Sequence, residues 1–356
     1  MANRLTLALP GDINTLTGGY IYDKRLVSEL SGQGWDITTL SLDARFPSVD
    51  DTVKQATAEK LAGVPVERDL VVDGLALGAL GSHVQAVTAK RGFIALVHHP
   101  LALESGLKPD DAQRLRDSET TALGYAQGVV VTSPTTRQTL IDQYGVAAGQ
   151  ITVIEPGVNR PAVLPTRNQH DDNRPLKLLS VGAIVPRKGF DVLIQALSKL
   201  TAIAWTLDLV GDDQRSVPTA THLRQLIKQH GLADRVRLVG AQPTQTLANY
   251  YREADVFVLA SQYEGYGMAY TEALAWGLPV IGTDGGAGAQ TLNTPAARIV
   301  AVNDIEHLTR VLGDVMTNPT QRSDMQHAAR QHANTLPTWA SAAERFAQSI
   351  KRMRTP

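Results

Sequence analysis

Two glutamates, Glu264 and Glu272, stand eight residues apart in the stretch YEGYGMAYTEALAWGLPVIGTD, residues 263–284. Glu264 follows the apolar run ADVFVLAS. Glu272 falls about one turn into a helix predicted over 268–276, which Gly277 and Pro279 stop. A second apolar run over 278–283 completes a strand–loop–helix–strand unit, the βαβ unit of a parallel sheet. Gly265 and Gly267 lack Cβ atoms, so backbone can approach a ligand closely, and the free N–H groups of the helix start suit an anion such as a phosphate. Carboxylates beside such a site need another partner, and the hydroxyls of a sugar or a ribose are good donors to them. A nucleotide sugar offers those hydroxyls beside a diphosphate.

Other residues with chemical potential lie at the ends of other apolar runs. Arg187 and Lys188, in GAIVPRKGFDVLIQAL, can neutralise a diphosphate, the first through a planar fork and the second as a point charge; a solvated basic turn is the plainer alternative. Gly18 and Gly19, in LPGDINTLTGGYIYDKRLVSEL, open a predicted helix and offer N–H groups to an anion, or simply make a turn. The segment is not G-x-G-x-x-G, which speaks against a nicotinamide site. His98 and His99 end the run FIALV, where a histidine serves equally as a structural residue or a ligand contact. No good metal set is visible: Asp171-Asp172 lies in a polar stretch, Asp212-Asp213 follows a strand, and no histidine pair has metalloprotease spacing.

The elements that must carry these residues alternate along the chain. Strand-like runs at 5–9, 35–42, 70–72, 93–97 and 128–132 are interleaved with helical patterns at 20–33, 109–126 and 134–144. From 155 to 175 the periodicity fails in EPGVNRPAVLPTRNQHDDNRP, read as a linker. A second alternation has strands at 176–183, 206–212, 236–241, 254–261 and 278–283, with helices at 189–200, 221–230, ending near 253, 268–276 and 304–317. Right-handed crossovers send the C-terminal loops of parallel strands to one sheet edge, where ligands of open α/β sheets bind. The expected organisation is an N-terminal Rossmann-like domain over 1–160, a linker over 161–175, a C-terminal Rossmann-like domain over 176–336, and a helix over 337–356.

The spacing Glu264-x7-Glu272 with its flanking glycines, EALA, GLPV and T-D-G-G resembles the signature of the retaining GT-B glycosyltransferases of family 4, glycosyl transferases group 1. The resemblance implies the α/β GT-B fold, two doubly wound domains facing a central cleft, and metal-independent transfer of a hexose from a UDP- or GDP-sugar to a hydroxyl of a glycan, lipid or small-molecule acceptor, as in polysaccharide biosynthesis. It places Arg187 and Lys188 on the donor diphosphate, Glu264 on the sugar hydroxyls and Glu272 on the ribose. Tyr266, Gly267 and Met268 offer N–H groups to sugar or phosphate, and Gly182 lines the donor site. Val239, Gly240, Ala241 and Gln242 line the base, Gly18 and Gly19 approach the diphosphate, and a histidine reaches the sugar, with His99 preferred over His98. The last helix braces the N-terminal domain. No cofactor is implied beyond the nucleotide-sugar co-substrate. After T-D-G-G the family often carries a further Glu, whereas here AGAQTLN follows, with Gln290 nearby.

Composition sets outer bounds. The 356 residues suit two domains, and a net charge of −1 gives no electrostatic reason to expect nucleic acid. The chain holds no cysteine, which excludes disulfides and thiolate chemistry. Neither a signal peptide nor a membrane-spanning run is read, so a cytoplasmic location is expected; Lys351, Arg352 and Arg354 leave peripheral contact with acidic lipid as a second use of the last helix. Competing readings are a GT-B-shaped nucleotide-sugar epimerase, a pyridoxal-dependent phosphorylase, which is normally far longer, and a non-catalytic two-lobed sugar-binding protein. A dinucleotide oxidoreductase lacks its glycine fingerprint.

Overall fold

The computed structural model describes residues 3–164 and 174–354. Two compact units are present, Met1–Gly157 with Pro337–Pro356, and Val158–Leu336. Most of the segment read as a linker, residues 165–173, lies outside the described residues.

The first unit is built on six parallel strands: β1 Arg4–Pro10, β2 Asp36–Leu42, β3 Asp69–Asp73, β4 Ile94–Val97, β5 Gly128–Val131 and β6 Ile151–Val153. Their order is β2-β1-β3-β4-β5-β6. Val71, Ala95 and Val130 are completely buried, which is why β3 to β5 read as unbroken apolar runs: helices cover both faces of the sheet. The helix Gly74–Leu80, GLALGAL, escapes sequence reading because six of its seven residues are buried and no polar face marks a period.

The helix Trp339–Met353 belongs to this unit although it ends the chain. Its Trp339 ring packs edge-on against Tyr22 with centroids 5.8 Å apart, and Arg345 donates to the Val153 carbonyl at 2.8 Å. A side chain at Gly157 would lie 2.2 Å from the Trp339 nitrogen, so only glycine lets the two segments pass. Arg354 binds the Asp69 carboxylate through Nε at 2.8 Å, and Arg354 and Lys351 both lie over the Trp35 ring. Two of the three cations considered for lipid contact thus serve to dock this helix. Among the described residues no helix is long and apolar enough to cross a membrane.

The second unit repeats the plan with β7 Leu176–Val181, β8 Trp205–Val210, β9 Val236–Gly240, β10 Val256–Val258, β11 Val280–Thr283 and β12 Ala297–Val300. The order is β12-β11-β10-β7-β8-β9, all parallel. The helix Phe190–Ser198 lays Phe190, Leu193, Ile194 and Leu197 on the sheet at i, i+3, i+4 and i+7; burying each contributes roughly 1.5–3 kcal/mol. Beyond the predicted last helix, Ile305–Thr317, the unit adds Pro319–Ala333, whose only buried residues are Met325, Ala329 and Ala333. So thin an apolar stripe leaves little pattern to read.

In each unit the strand order reverses once, between β1 and β3 and between β7 and β10. Neighbouring strands at such a point send their following loops in opposite directions and leave a crevice beyond their carboxyl ends.

Candidate active site

At the β7/β10 reversal, the loop after β7 carries the cations and the loop after β10 carries Glu264. The chain leaves β7 through Gly182, makes a single turn over Pro186–Lys188, and enters the next helix through Gly189 at φ +60°. A Cβ at Gly189 would sit 2.0 Å from the Ala260 carbonyl oxygen, so the glycine permits both the left-handed backbone and the close approach to the end of β10. That approach brings the two loops together: Gln262 N–H donates to the Arg187 carbonyl at 2.7 Å, and Arg187 Nη1 donates to the Tyr263 carbonyl at 2.6 Å.

Glu264 is 7% exposed and accepts from Lys188 Nζ and from Ser261 Oγ on the same oxygen, Oε1, each at 2.5 Å. Arg187 Nη1 lies 3.9 Å from the other oxygen, Oε2. Burial alone would raise the Glu264 pKa, but Lys188, Arg187 and the two hydrogen bonds outweigh it and hold the carboxyl below its ordinary value. The group is therefore ionised at neutral pH, inside a cluster where two cations meet one carboxylate. Ser261 was not among the residues singled out from sequence; it ends an apolar run, where a hydroxyl carries no spacing signal.

The T-D-G-G segment backs this loop. Glu264 N–H donates to Gly285 O at 3.2 Å and Ala287 N–H donates to Glu264 O at 2.7 Å. Side chains at Gly285 or Gly286 would come within 2.3 Å of the Gln262 and Glu264 carbonyls. These glycines are required by packing against the loop, independent of any acidic residue downstream.

Gly267, at φ +95°, opens the helix Met268–Ala275 with no side-chain cap, so the first-turn N–H groups of Met268 and Ala269 lie outside the helix's own hydrogen bonds. Tyr266 is buried beside them and its carbonyl accepts from Thr291. Glu272 points its Oε2 at the buried Tyr251 hydroxyl, 2.8 Å away, and the Tyr251 ring stacks with both Phe257 and Trp276. At the end of β9, Val239 and Gly240 are half-buried and Ala241 is exposed, with Gly240 at φ +78° and its carbonyl bound to Gly211 N–H. Gln242 donates back to Val239 O at 3.3 Å. Beside the Arg187 turn lies a cavity of about 290 Å³ between Val185, Pro186, Phe190, Pro218, His222 and Gln262.

In the first unit, Gly18 and Gly19 begin the helix Gly18–Gly32, and the His98 ring lies so close that a Cβ at Gly19 would meet its Cδ2 at 3.0 Å. His98 Nε2 stands 3.1 Å from Asp23 Oδ1 and 3.4 Å from Asp73 Oδ2. Burial pulls the His98 pKa down, but Asp23 and Asp73 outweigh it and raise it above the ordinary histidine value. His99 turns elsewhere, its Nε2 at 3.3 Å from Glu104 Oε2. Asp23 and Asp73 went unread in the sequence. Three donor atoms from Asp23, Asp73 and His98 lie within 4.8 Å of one another, a convergence that no linear spacing announces. One signal existed: Asp23 shares the buried stripe of its helix with Leu26 and Leu30, where a carboxylate is out of place unless paired.

Comparison with known proteins bears on the family and the fold. Residues 165–332 match the family described as glycosyl transferases group 1, and residues 67–160 match Glycosyltransferase Family 4. The D-inositol 3-phosphate glycosyltransferase of Streptosporangium roseum is 29% identical over 290 residues, 75% of this chain and 66% of that protein. The chain thus spans a little under two thirds of that relative. An MMP alpha-(1->4)-mannosyltransferase of Mycolicibacterium hassiacum is 26% identical over 84% of this chain and 74% of its own. Among solved structures, the sucrose-phosphate synthase of Thermosynechococcus elongatus superposes with a TM-score of 0.81 at 21% identity over 99% of both chains. HepE from Anabaena in complex with UDP-glucose gives 0.76 at 16% identity, over 98% of this chain and 100% of that one. These likenesses speak for the fold.

Proposed function

Since the chain belongs to the group 1, family 4 glycosyltransferases of GT-B fold, we propose that it transfers a hexose, with retention, from a UDP- or GDP-sugar to a hydroxyl of a glycan, lipid or small-molecule acceptor. The observation that carries this reading is the Arg187–Lys188–Glu264 cluster at the β7/β10 reversal. Two cations gather on one carboxylate at a sheet edge, and their charge is opposite in sign to a nucleoside diphosphate. As the glycosidic bond breaks, charge builds on the leaving diphosphate, and fixed cations with helix-start N–H groups stabilise it more in the transition state than in the ground state. On this account Arg187 and Lys188 supply the positive charge that a divalent ion would otherwise bring, Glu264 grips sugar hydroxyls, and Glu272, oriented by Tyr251, grips the ribose. The leaving phosphate, and no side chain, takes the acceptor proton.

The test is turnover of UDP-, GDP- and ADP-sugars in EDTA, followed as release of nucleoside diphosphate, with glycan, lipid and phosphorylated-polyol acceptors. D-inositol 3-phosphate belongs in the panel because relatives are named for it. Release by the parent, lost in Arg187→Ala and Glu264→Gln, supports the reading. Interconversion of two nucleotide sugars without transfer would make the protein an epimerase. Sugar binding without turnover, with or without metal, would make it a binding protein.

A further inference from the structure

Asp23 lies on a helix face that should be apolar, 1% exposed, and a carboxylate there is unfavourable unless something compensates it. Its Oδ1 meets His98 Nε2, while its Oδ2 has no hydrogen-bond partner among the described residues. Asp73, at the end of β3, places Oδ2 near the same ring nitrogen, and its Oδ1 accepts from the Leu75 N–H at 2.9 Å. Two carboxylates from two elements therefore converge on a single imidazole nitrogen. Such an arrangement requires that nitrogen to carry its proton, since a bare lone pair facing two carboxylate oxygens would be repelled on both sides.

The ring is fixed on its other sides as well. Gly19 abuts Cδ2, the Tyr22 ring stands edge-on at 5.3 Å, and Thr132 Oγ1 donates to the His98 carbonyl at 3.2 Å. Nδ1 makes no hydrogen bond among the described residues, and the side chain is 19% exposed. The charged and titratable groups around the ring are Asp23 from its helix, Asp73 from β3, Tyr22 with Arg345 of the last helix behind it, and the adjacent His99 with Glu104.

We propose that Asp23, with Asp73, is a positioning residue: the pair locks His98 with its Nε2 proton turned inward, so that Nδ1 is the atom presented to substrate at the β1/β3 reversal. Protonated on both nitrogens, His98 offers a charged N–H donor to a substrate oxygen there, either a sugar hydroxyl or a phosphate oxygen. His98, rather than His99, is then the substrate-facing histidine. The kinetic consequence rests on the glycosyltransferase reading; the protonation state does not.

The experiment is histidine side-chain ¹⁵N NMR of the full chain across pH, with Asp23→Asn, Asp73→Asn and His98→Gln beside the parent. The parent His98 should keep its Nε2 proton throughout and titrate roughly one pH unit or more above an exposed histidine, and Asp23→Asn should lower that titration by about a unit. In the transfer assay, Asp23→Asn should lower kcat by roughly tenfold to a hundredfold, shift the alkaline limb of the pH profile downward, and add nothing to His98→Gln. Thermal unfolding identifies any variant whose loss is one of folding. An ordinary His98 titration in the parent, an unmoved one in Asp23→Asn, or His98 signals that shift stoichiometrically with added zinc would overturn the proposal. If no nucleotide sugar is turned over while the NMR titrations behave as stated, the transferase reading fails and the positioning device stands.

Discussion

The two sheets place ionisable clusters at equivalent points, and the clusters are built with opposite balance. At the β7/β10 reversal two cations, Arg187 and Lys188, surround one buried carboxylate, Glu264; at the β1/β3 reversal two buried carboxylates, Asp23 and Asp73, surround one histidine. The first gathers cations, the sign that an anionic ligand needs. The second uses its negative charge internally, to settle the protonation of a neighbour. Similar architecture at a switch point thus fixes where chemistry can occur, while the ratio of acids to bases fixes what is bound.

The largest effect should come from the cations. Lys188→Ala and Arg187→Ala are each expected to reduce nucleoside diphosphate release by roughly 10²–10³-fold, the scale of losing a preorganised electrostatic contact in a transition state. Lys188→Ala should also lower the unfolding temperature, because Glu264 loses its closest compensating charge.

Two buried glutamates sharpen the contrast through pH. Glu264 has a folded pKa below its unfolded value, so its stabilisation is present above about pH 4.5 and is lost as pH falls through the folded pKa. Glu119, in the first unit, is 1% exposed with the Leu101 N–H as a partner at 3.0 Å, and burial raises its pKa to about 8. Its folded form favours the proton, so its contribution is full below about pH 4.5 and is lost as pH rises through about 8. Glu119→Gln should therefore stabilise the protein at pH 8 relative to the parent by a few kcal/mol (~2–4), and the gain should vanish near pH 4.5. Glu264→Gln should instead flatten the acid limb. Denaturant unfolding across pH measures both.

Backbone geometry gives a third expectation. Gly189→Ala forces a side chain onto the Ala260 carbonyl at a positive φ and should cost about 2–4 kcal/mol in chemical denaturation, with donor turnover falling as the cation turn shifts. The smallest effect should come from Tyr251→Phe, which removes one hydrogen bond to Glu272: roughly a three- to tenfold rise in donor KM with kcat nearly unchanged.

Legibility in the sequence differed sharply between the two clusters, although their contacts span almost equal distances along the chain: 76 residues for Lys188 to Glu264 and 75 for His98 to Asp23. Lys188 and Glu264 each sit among glycines that mark a turn at a strand end, so both were visible locally and their meeting followed from parallel topology. His98 was visible for the same reason. Asp23 lies inside a helix, away from any turn or strand end, and its one signal is its place on the apolar stripe with Leu26 and Leu30. Ser261 and Tyr251 were hidden likewise, one at a strand end and one in a helix of many polar residues. Five strands of each parallel sheet were read from apolar runs, but β6 and β12 are too short to stand out, Gly74–Leu80 lacks a polar face and Pro319–Ala333 has scarcely an apolar one, and periodicity needs both.

The most direct measurement is calorimetric titration of UDP and GDP into the parent and Lys188→Ala, in EDTA, at two salt concentrations. At least one diphosphate should bind in the micromolar range, weakened by salt and by the substitution at least tenfold. Binding that requires a divalent metal, or that is equal in parent and variant, would contradict a donor diphosphate held by Arg187 and Lys188.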